Sequence, residues 1–352
     1  MTIGDLHAGS VSAGIAVDCP RGPPLVTKAG DHATLTGRES TPMDSACSSI
    51  EGSTRVGEAS VHWRKQGSGP PVVFVHGFPL SGHTWDKVVV RLRDRFTCYT
   101  PDLIGLGQSH SAADDDYASP GQARALQRVL SELGVDSYAL VGNDTGGWIA
   151  RELALIDTGR VSRLILTNTE IPFHRPPWIP MYQALAHVPG FGNVIQQLLK
   201  SSAFRRSSLV FGGCFHDLTT LEGEFHESFV EPLIGSDARM DGAMRFLRRM
   251  KFARLDEFKN LHQRLAMPTL FIWGANDPTF PEPRAREMVR QFPNVVGFHA
   301  IANTKLFVYE EHPQEVARLI DGFLSGTQPI GRDIETKVAV EAGGKPLTIP
   351  SV

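Results

Sequence analysis

The sequence predicts an α/β fold, a mostly parallel central sheet flanked by helices, with a helical cap inserted late in the chain. Three patterns in the 352 residues point to it. Short β-branched apolar runs alternate with helical spacings, as successive βα units do. Residues 71–76 (PVVFVH) form a continuous apolar run, as a strand buried on both sheet faces requires. From 171 to 265 the alternation lapses into proline-rich, aromatic and helical stretches before it resumes.

In chain order, residues 1–52 are rich in Gly, Ser, Thr, Pro and Ala without a sustained period, and a disordered tail is expected there, with Met43 as an alternative start. Residues 60–66 (SVHWRKQ) alternate with period two, as an edge strand would, and 71–76 and 95–100 are the next two strands. Helical spacing covers 122–133; 138–141 is a strand, and a helix over 145–158 begins directly after it. Strands at 164–167, 269–273 and 295–301 complete the sheet. A helix over 312–324 closes the fold, with Glu310 and Glu311 just before its positive end. The core is thus expected over 53–170 and 266–325, the cap over 171–265, and a second disordered tail over 326–352. Within the cap, 245–254 (RFLRRMKFAR) alternates basic and apolar residues, as an amphipathic helix with a solvated face would.

Composition sets the remaining bounds. A net charge of -3, with Lys and Arg spread along the chain, gives no basic field for nucleic acid. Cys19, Cys47, Cys98 and Cys214 show no CxxC spacing and are too sparse for a disulfide framework or a zinc site. No stretch reaches the roughly 18 apolar residues of a membrane span, and no export signal opens the chain, so a cytoplasmic location is expected. No nucleotide motif, metal-ligand cluster or flavin signature is present; no cofactor and no metal are expected, which leaves a small organic molecule as the expected partner.

The chemistry concentrates at 141–147 (VGNDTGG), between a strand and a helix. A strand entering a helix through one tight turn strains its central residue, and flanking glycines leave room for that turn. Asp144 would then project from the sheet top, beside the helix N-terminus that favours negative charge. Taken alone, GxDxG also fits an ordinary turn. Two further segments give it context: 76–79 (HGFP) after the buried strand, whose Phe78 amide would pair with that of Thr145 as an oxyanion hole, and 273–278 (WGANDP), which places Asp277 beyond a later strand. His76 reads as a residue that shapes the loop.

These motifs, HGFP, GNDTGG and WGANDP in that order with PDLIGLGQS between the first two, make residues 55–324 resemble the α/β-hydrolase superfamily. Within it, the chain is similar to the branch of epoxide hydrolases and haloalkane dehalogenases, whose nucleophile is an aspartate. The resemblance implies Asp144 as nucleophile, Asp277 as the triad acid, and the Phe78 and Thr145 amides as oxyanion donors. It also implies a two-stage reaction, in which the carboxylate alkylates itself on an electrophilic carbon and a histidine then activates water to hydrolyse the ester. The nucleophile is expected to be already ionised near neutral pH. Asn168 falls where some dehalogenases carry the acid, which favours Asp277 for that role.

The chain departs from the family at the histidine. Aligned on 307–313 (FVYEEHP), the family histidine falls on Leu306, whose side chain moves no proton. His312, His299 and His83 are the alternatives, His312 reading as a surface or packing residue. Thr145 follows the nucleophile where haloalkane dehalogenases place a halide-binding tryptophan and fluoroacetate dehalogenases an arginine. Trp178, in RPPWIP, is a candidate substitute; Tyr182 is the single cap tyrosine where epoxide hydrolases use two to protonate the opening oxygen. Trp178, Tyr182, Asn168 and Leu306 are therefore the candidate pocket residues.

Three functions follow from this pattern. The first is an enzyme that uses Asp144 covalently on an epoxide or alkyl halide, with the hydrolytic step compromised by Leu306. The second keeps the pocket for a non-hydrolytic lyase, isomerase or cyclase with Asp144 as general base. The third is a ligand-binding protein without turnover, against which the retention of the turn, the HGFP loop and Asp277 together argues.

Overall fold

The structure, a computed structural model, describes residues 15–17, 49–111 and 117–327. Nine strands among them form one sheet: β1 (Ile15–Val17), β2 (Ser49–Val56), β3 (Ala59–Gln66), β4 (Pro71–Val75), β5 (Thr97–Pro101), β6 (Tyr138–Asn143), β7 (Val161–Thr167), β8 (Thr269–Gly274) and β9 (Val295–Ile301). Their spatial order is β1-β2-β3-β5-β4-β6-β7-β8-β9. The first three run antiparallel and β3 joins β5 antiparallel; from β5 to β9 every pairing is parallel. The central strands are buried on both faces, as their unbroken apolar sequences require.

Helices α1 (Asp86–Leu92), α2 (Ser119–Glu132) and α3 (Thr145–Ile156) connect the first strands. Between β7 and β8 lie α4 (Trp178–Leu185), α5 (Phe191–Leu199), α6 (Ser202–Arg205), α7 (Glu231–Ile234), α8 (Asp237–Arg249) and α9 (Phe252–Leu261). Helix α10 (Glu282–Val289) joins β8 to β9, and α11 (Val308–Glu311) and α12 (Pro313–Ser325) end the fold. Gly326, at φ 69°, closes α12 in the left-handed conformation that glycine adopts without a Cβ penalty. Among the described residues no helix is long and apolar enough to cross a membrane.

Three expectations need correction. Residues 49–52, placed in the N-terminal tail, belong to β2, and a three-residue strand at Ile15–Val17 pairs with it; the rest of the proposed tail, and 328–352 at the other end, lie outside the described residues. The Ser- and Gly-rich sequence SIEGSTRV hides β2 from a periodicity reading, because its ladder to β3 and the Trp63 ring, which covers Gly52, hold it there. Second, β3 is not an edge: it is paired on both sides. Third, the basic run at 245–254 is not one helix. It breaks at Met250, where the backbone turns extended, and Gln183 Nε2 donates to the freed carbonyls of Leu247 and Met250 at 3.3 and 2.6 Å.

Arg254, beyond that break, reaches back to the core. Its guanidinium makes two hydrogen bonds, at 2.9 and 2.7 Å, to the Glu152 carboxylate on α3, whose side chain is 2 % exposed against 30 % for Arg254. Arg254→Met leaves a buried carboxylate unpaired and is expected to destabilise the fold by about 2 kcal/mol, below the range for fully buried pairs because the arginine is partly solvated. Urea unfolding of the two proteins measures this; an unchanged midpoint at constant slope would show that the bridge does not anchor the inserted helices.

Candidate active site

The strand order reverses between β4 and β6, because chain segments leave these neighbours toward opposite edges. In an open parallel sheet that reversal opens a crevice at the carboxyl ends of the strands. Asp144 follows β6 and Phe78 follows β4, so both residues stand at this crevice. Asp144 has φ 49° and ψ −136°, a region that L residues rarely occupy. Its backbone is fixed from both sides: its N–H donates to the Asn168 carbonyl and its carbonyl accepts from Gly147 N–H, each at 2.8 Å. Glycine is obligatory around it. A Cβ on Gly146 would lie 2.3 Å from the His76 carbonyl oxygen, and one on Gly77 would lie 2.6 Å from Asp144 Oδ2.

Phe78 N–H donates to Asp144 Oδ2 at 2.9 Å, the Thr145 amide also bonds this carboxylate, and the Thr145 hydroxyl lies 3.4 Å from the same Oδ2. His76 shapes the HGFP loop: Leu103 N–H donates to its Nε2 at 2.9 Å, and its Nδ1 lies 2.9 Å from the Gly77 carbonyl, which makes Nδ1 the protonated nitrogen. Burial lowers its pKa, in keeping with a neutral ring.

Asp144 opens onto a cavity of about 190 Å³ between the sheet and the inserted helices. Its wall is apolar, with Ile179 from α4, Leu199 from α5 and Met240, Met244 and Leu247 from α8. Of the candidate pocket residues, Trp178, Tyr182 and Leu306 line it, together with Thr145 and Phe78. Asn168 does not. Lying at the end of β7, it is turned into the sheet, where Oδ1 accepts from Gly274 N–H at 2.7 Å and Nδ2 donates to Asp277 Oδ2 at 2.8 Å.

Asp277 is likewise sealed off. It is 3 % exposed, does not line the cavity, and also accepts from Thr279 N–H at 2.8 Å. Burial raises its pKa to about 6. The loop after β9 is held in place: Asn143 Nδ2 donates to the Leu306 carbonyl at 3.0 Å, and Glu311 accepts from Lys305 N–H at 3.0 Å and from the amides of His216 and Asp217. Leu306 itself is buried on the cavity wall, where it shares the lining with Asp144. No histidine lines the cavity among the described residues. His83 stands beside Asp86 at 3.0 Å, and His312 occupies the residue before α12 without a side-chain capping bond.

Sequence reading missed Glu170. It lies two residues beyond Asn168, is 2 % exposed, and is the second carboxylate of the cavity wall, which carries no Lys, Arg or His among the described residues. Its position just past the carboxyl end of a central strand was the available signal, obscured because the family pattern drew attention to Asn168. Burial and the neighbouring Glu170 push the Asp144 pKa well up, against the pull of the Thr145 and Phe78 amides; burial likewise raises Glu170. Two carboxyls in one desolvated site do not both ionise, so the charge state of Asp144 is tied to that of Glu170. Cys214 also lines the wall, its thiol raised by burial. No three His, Cys, Asp or Glu side chains among the described residues converge as metal ligands.

Fold and site together define an α/β hydrolase. The sequence profile of the alpha/beta hydrolase fold matches residues 70–313, and the chain belongs to that family. Within it, the chain is similar to haloalkane dehalogenase 2 of Mycobacterium tuberculosis, 28 % identical over 270 residues that cover 74 % of this chain and 90 % of that protein. It is also similar to the cis-3-alkyl-4-alkyloxetan-2-one decarboxylase of Shewanella oneidensis, 26 % identical, with 78 % and 88 % covered. Among solved structures, the epoxide hydrolase CorEH superposes with a TM-score of 0.65 at 21 % identity, covering 80 % of this chain and all of the other. A haloalkane dehalogenase loop variant from Bradyrhizobium elkanii gives the same TM-score at 21 % identity, covering 79 % and 97 %. The chain is thus an α/β-hydrolase-family enzyme related to haloalkane dehalogenases and epoxide hydrolases.

The raised pKa of Asp277 has a measurable consequence. Since it lies above the ordinary 3.8, ionising Asp277 opposes folding: its contribution to stability is complete below about pH 4 and is lost as pH rises through about 6. Asp277→Asn removes this dependence, so between pH 4 and pH 8 the variant is expected to gain on wild type by an amount on the order of 2–3 kcal/mol. Urea titrations across that range read the difference, and a pH-independent gap would show an ordinary carboxylate.

Proposed function

We propose that the enzyme opens the strained C–O bond of an alkyl-substituted epoxide by covalent attack of Asp144. The carrying observation is the Asp144 carboxylate itself: Oδ2 is held by the Phe78 amide while no side-chain donor among the described residues is directed at Oδ1, and the carboxylate faces an apolar cavity. Oδ1 attacks the epoxide carbon and forms an ester. When water later adds to the carboxyl carbon, the negative charge develops on Oδ2, to which the Phe78 amide already donates, with the Thr145 amide also bonding the group. Asp277 braces the site through Asn168 and the β8 end.

An epoxide fits the wall better than an alkyl halide. Thr145 offers no indole or guanidinium to a departing halide, and no cationic side chain lines the cavity among the described residues to receive it. The same property disfavours carboxylate-bearing substrates. The oxetanone decarboxylase, named for a strained oxygen ring with alkyl chains, supports both the ring chemistry and the apolar flanks as substrate features.

A second reading is favoured by the upward shift of Asp144, since a carboxylate of raised pKa is a stronger general base, suited to a non-hydrolytic isomerase or cyclase. Solvent oxygen separates the two. With enzyme in excess over styrene oxide in ¹⁸O-labelled water, covalent attack leaves either the epoxide mass or an ¹⁸O atom on the peptide containing Asp144, and Asp144→Asn acquires neither. Label that enters the diol directly, bypassing Asp144, overturns the covalent reading; isomerised product free of solvent oxygen establishes the second.

A further inference from the structure

We infer that Glu170 is the proton donor and acceptor of this site, donating to the epoxide oxygen as the ring opens and then accepting the proton of the water that hydrolyses the Asp144 ester. The inference rests on Asp144 as nucleophile and supplies what Leu306 removes.

Hydrogen-bond counting places a proton on Glu170. The Thr169 hydroxyl lies 2.8 Å from the Asp144 carbonyl oxygen and 3.0 Å from Glu170 Oε2, while Arg151 donates to it at 3.2 Å. A hydroxyl has one proton and a carbonyl only accepts, so with Thr169 donating to the Asp144 carbonyl the Oε2 contact is a full two-centre hydrogen bond when Oε2 carries a proton and Thr169 accepts it; otherwise the two oxygens share the one Thr169 proton. The Thr145 hydroxyl stands in the same relation, shared between Asp144 Oδ2 and the Glu170 carboxyl. Asp144 has two amide donors that favour its ionised form; Glu170 has one, its own N–H, and otherwise hydroxyls, which serve either form.

Charge balance agrees. Beneath the pair, fully buried Arg151 donates to the Glu170 carbonyl at 2.8 Å and to neutral His262, whose Nε2 lies 3.0 Å away and whose pKa burial and Arg151 hold well below the usual range. One guanidinium offsets one carboxylate, so the pair holds a single proton. The charged groups facing Glu170 are thus Asp144 and Arg151, with Asp277 acting on Asp144 from beyond.

The proton count closes over the cycle. Asp144 Oδ1 bonds to the epoxide carbon, the C–O bond breaks, and the new alkoxide takes the Glu170 proton. Ionised Glu170 then takes a proton from water as its oxygen adds to the ester carbon. Collapse of the tetrahedral intermediate expels the diol oxygen, which is protonated by Glu170, and the proton left on the new Asp144 carboxyl returns to Glu170. An alkyl halide leaves without a proton and would leave Glu170 protonated, unable to serve the second half.

Glu170→Gln, with styrene oxide and 1-bromohexane as probes, tests this. Ring opening should slow by at least ~100-fold and any Asp144 ester formed should persist by intact mass, whereas alkylation by 1-bromohexane, which needs no proton, proceeds as in wild type and shows the pocket intact. The alkaline limb of the wild-type pH–rate profile, where Glu170 loses its proton, should vanish. Wild-type opening, release and pH profile in Glu170→Gln overturn the inference and leave Asp144 as nucleophile. Equal slowing with both probes assigns Glu170 a purely positional role and also overturns it. No Asp144 ester or label with either probe, in either protein, instead defeats the covalent reading on which it rests.

Discussion

The turn at Asp144 is the constraint from which the site follows. Holding a non-glycine residue at φ 49°, ψ −136° costs about 1–3 kcal/mol, and the surrounding structure must hold it there. It does so with backbone: the Asn168 carbonyl and Gly147 amide fix the peptide, and Gly77 and Gly146 allow the β4 loop and the start of α3 to close on it without side chains between. That closeness delivers the Phe78 and Thr145 amides to the carboxylate. The strain and the hydrogen bonds to Asp144 are therefore one feature, because relaxing the turn would withdraw the carboxylate from both donors.

Desolvation then sets the electrostatics. An apolar wall makes every charge in the cavity expensive, and the site holds two carboxyls where solvent would let both ionise. Arg151 is buried at similar cost and is satisfied through Gly147, Thr169, Glu170 and His262, so its charge is fixed beneath the pair. The result is a site with one net negative charge on the carboxyls and one positive charge below them. The hydroxyls of Thr145 and Thr169 lie between the charged groups and couple their protonation.

Much of this was legible from the sequence, for identifiable reasons. Buried parallel strands announce themselves as apolar runs, and the glycines about Asp144 mark the turn because nothing larger fits. The antiparallel edge was not legible, because β2 is held by a ladder and one tryptophan rather than by alternating side chains. Asn168 and Asp277 have the right order along the chain, yet their side chains bond each other inside the sheet rather than facing the cavity, and order does not specify direction. Glu170 was invisible for the converse reason: no motif contains it, and only the fold brings a carboxyl three residues past β7 into contact with the Thr145 hydroxyl.

Leu306 takes on a different meaning in this setting. Its loop is not degenerate, since Asn143, Lys305 and Glu311 hold it by hydrogen bonds from three directions, and its side chain completes the apolar wall. A histidine there would add a titratable, hydrated group to a cavity wall that carries Asp144 and Glu170 and otherwise few polar groups. Leucine instead keeps that wall dry and leaves Asp277 sealed with Asn168, with burial holding its pKa near 6. Leucine at 306 and a second carboxyl at 170 act in the same direction: a dry wall raises both acids, and raised acids are what allow one to carry the proton that the other's chemistry requires.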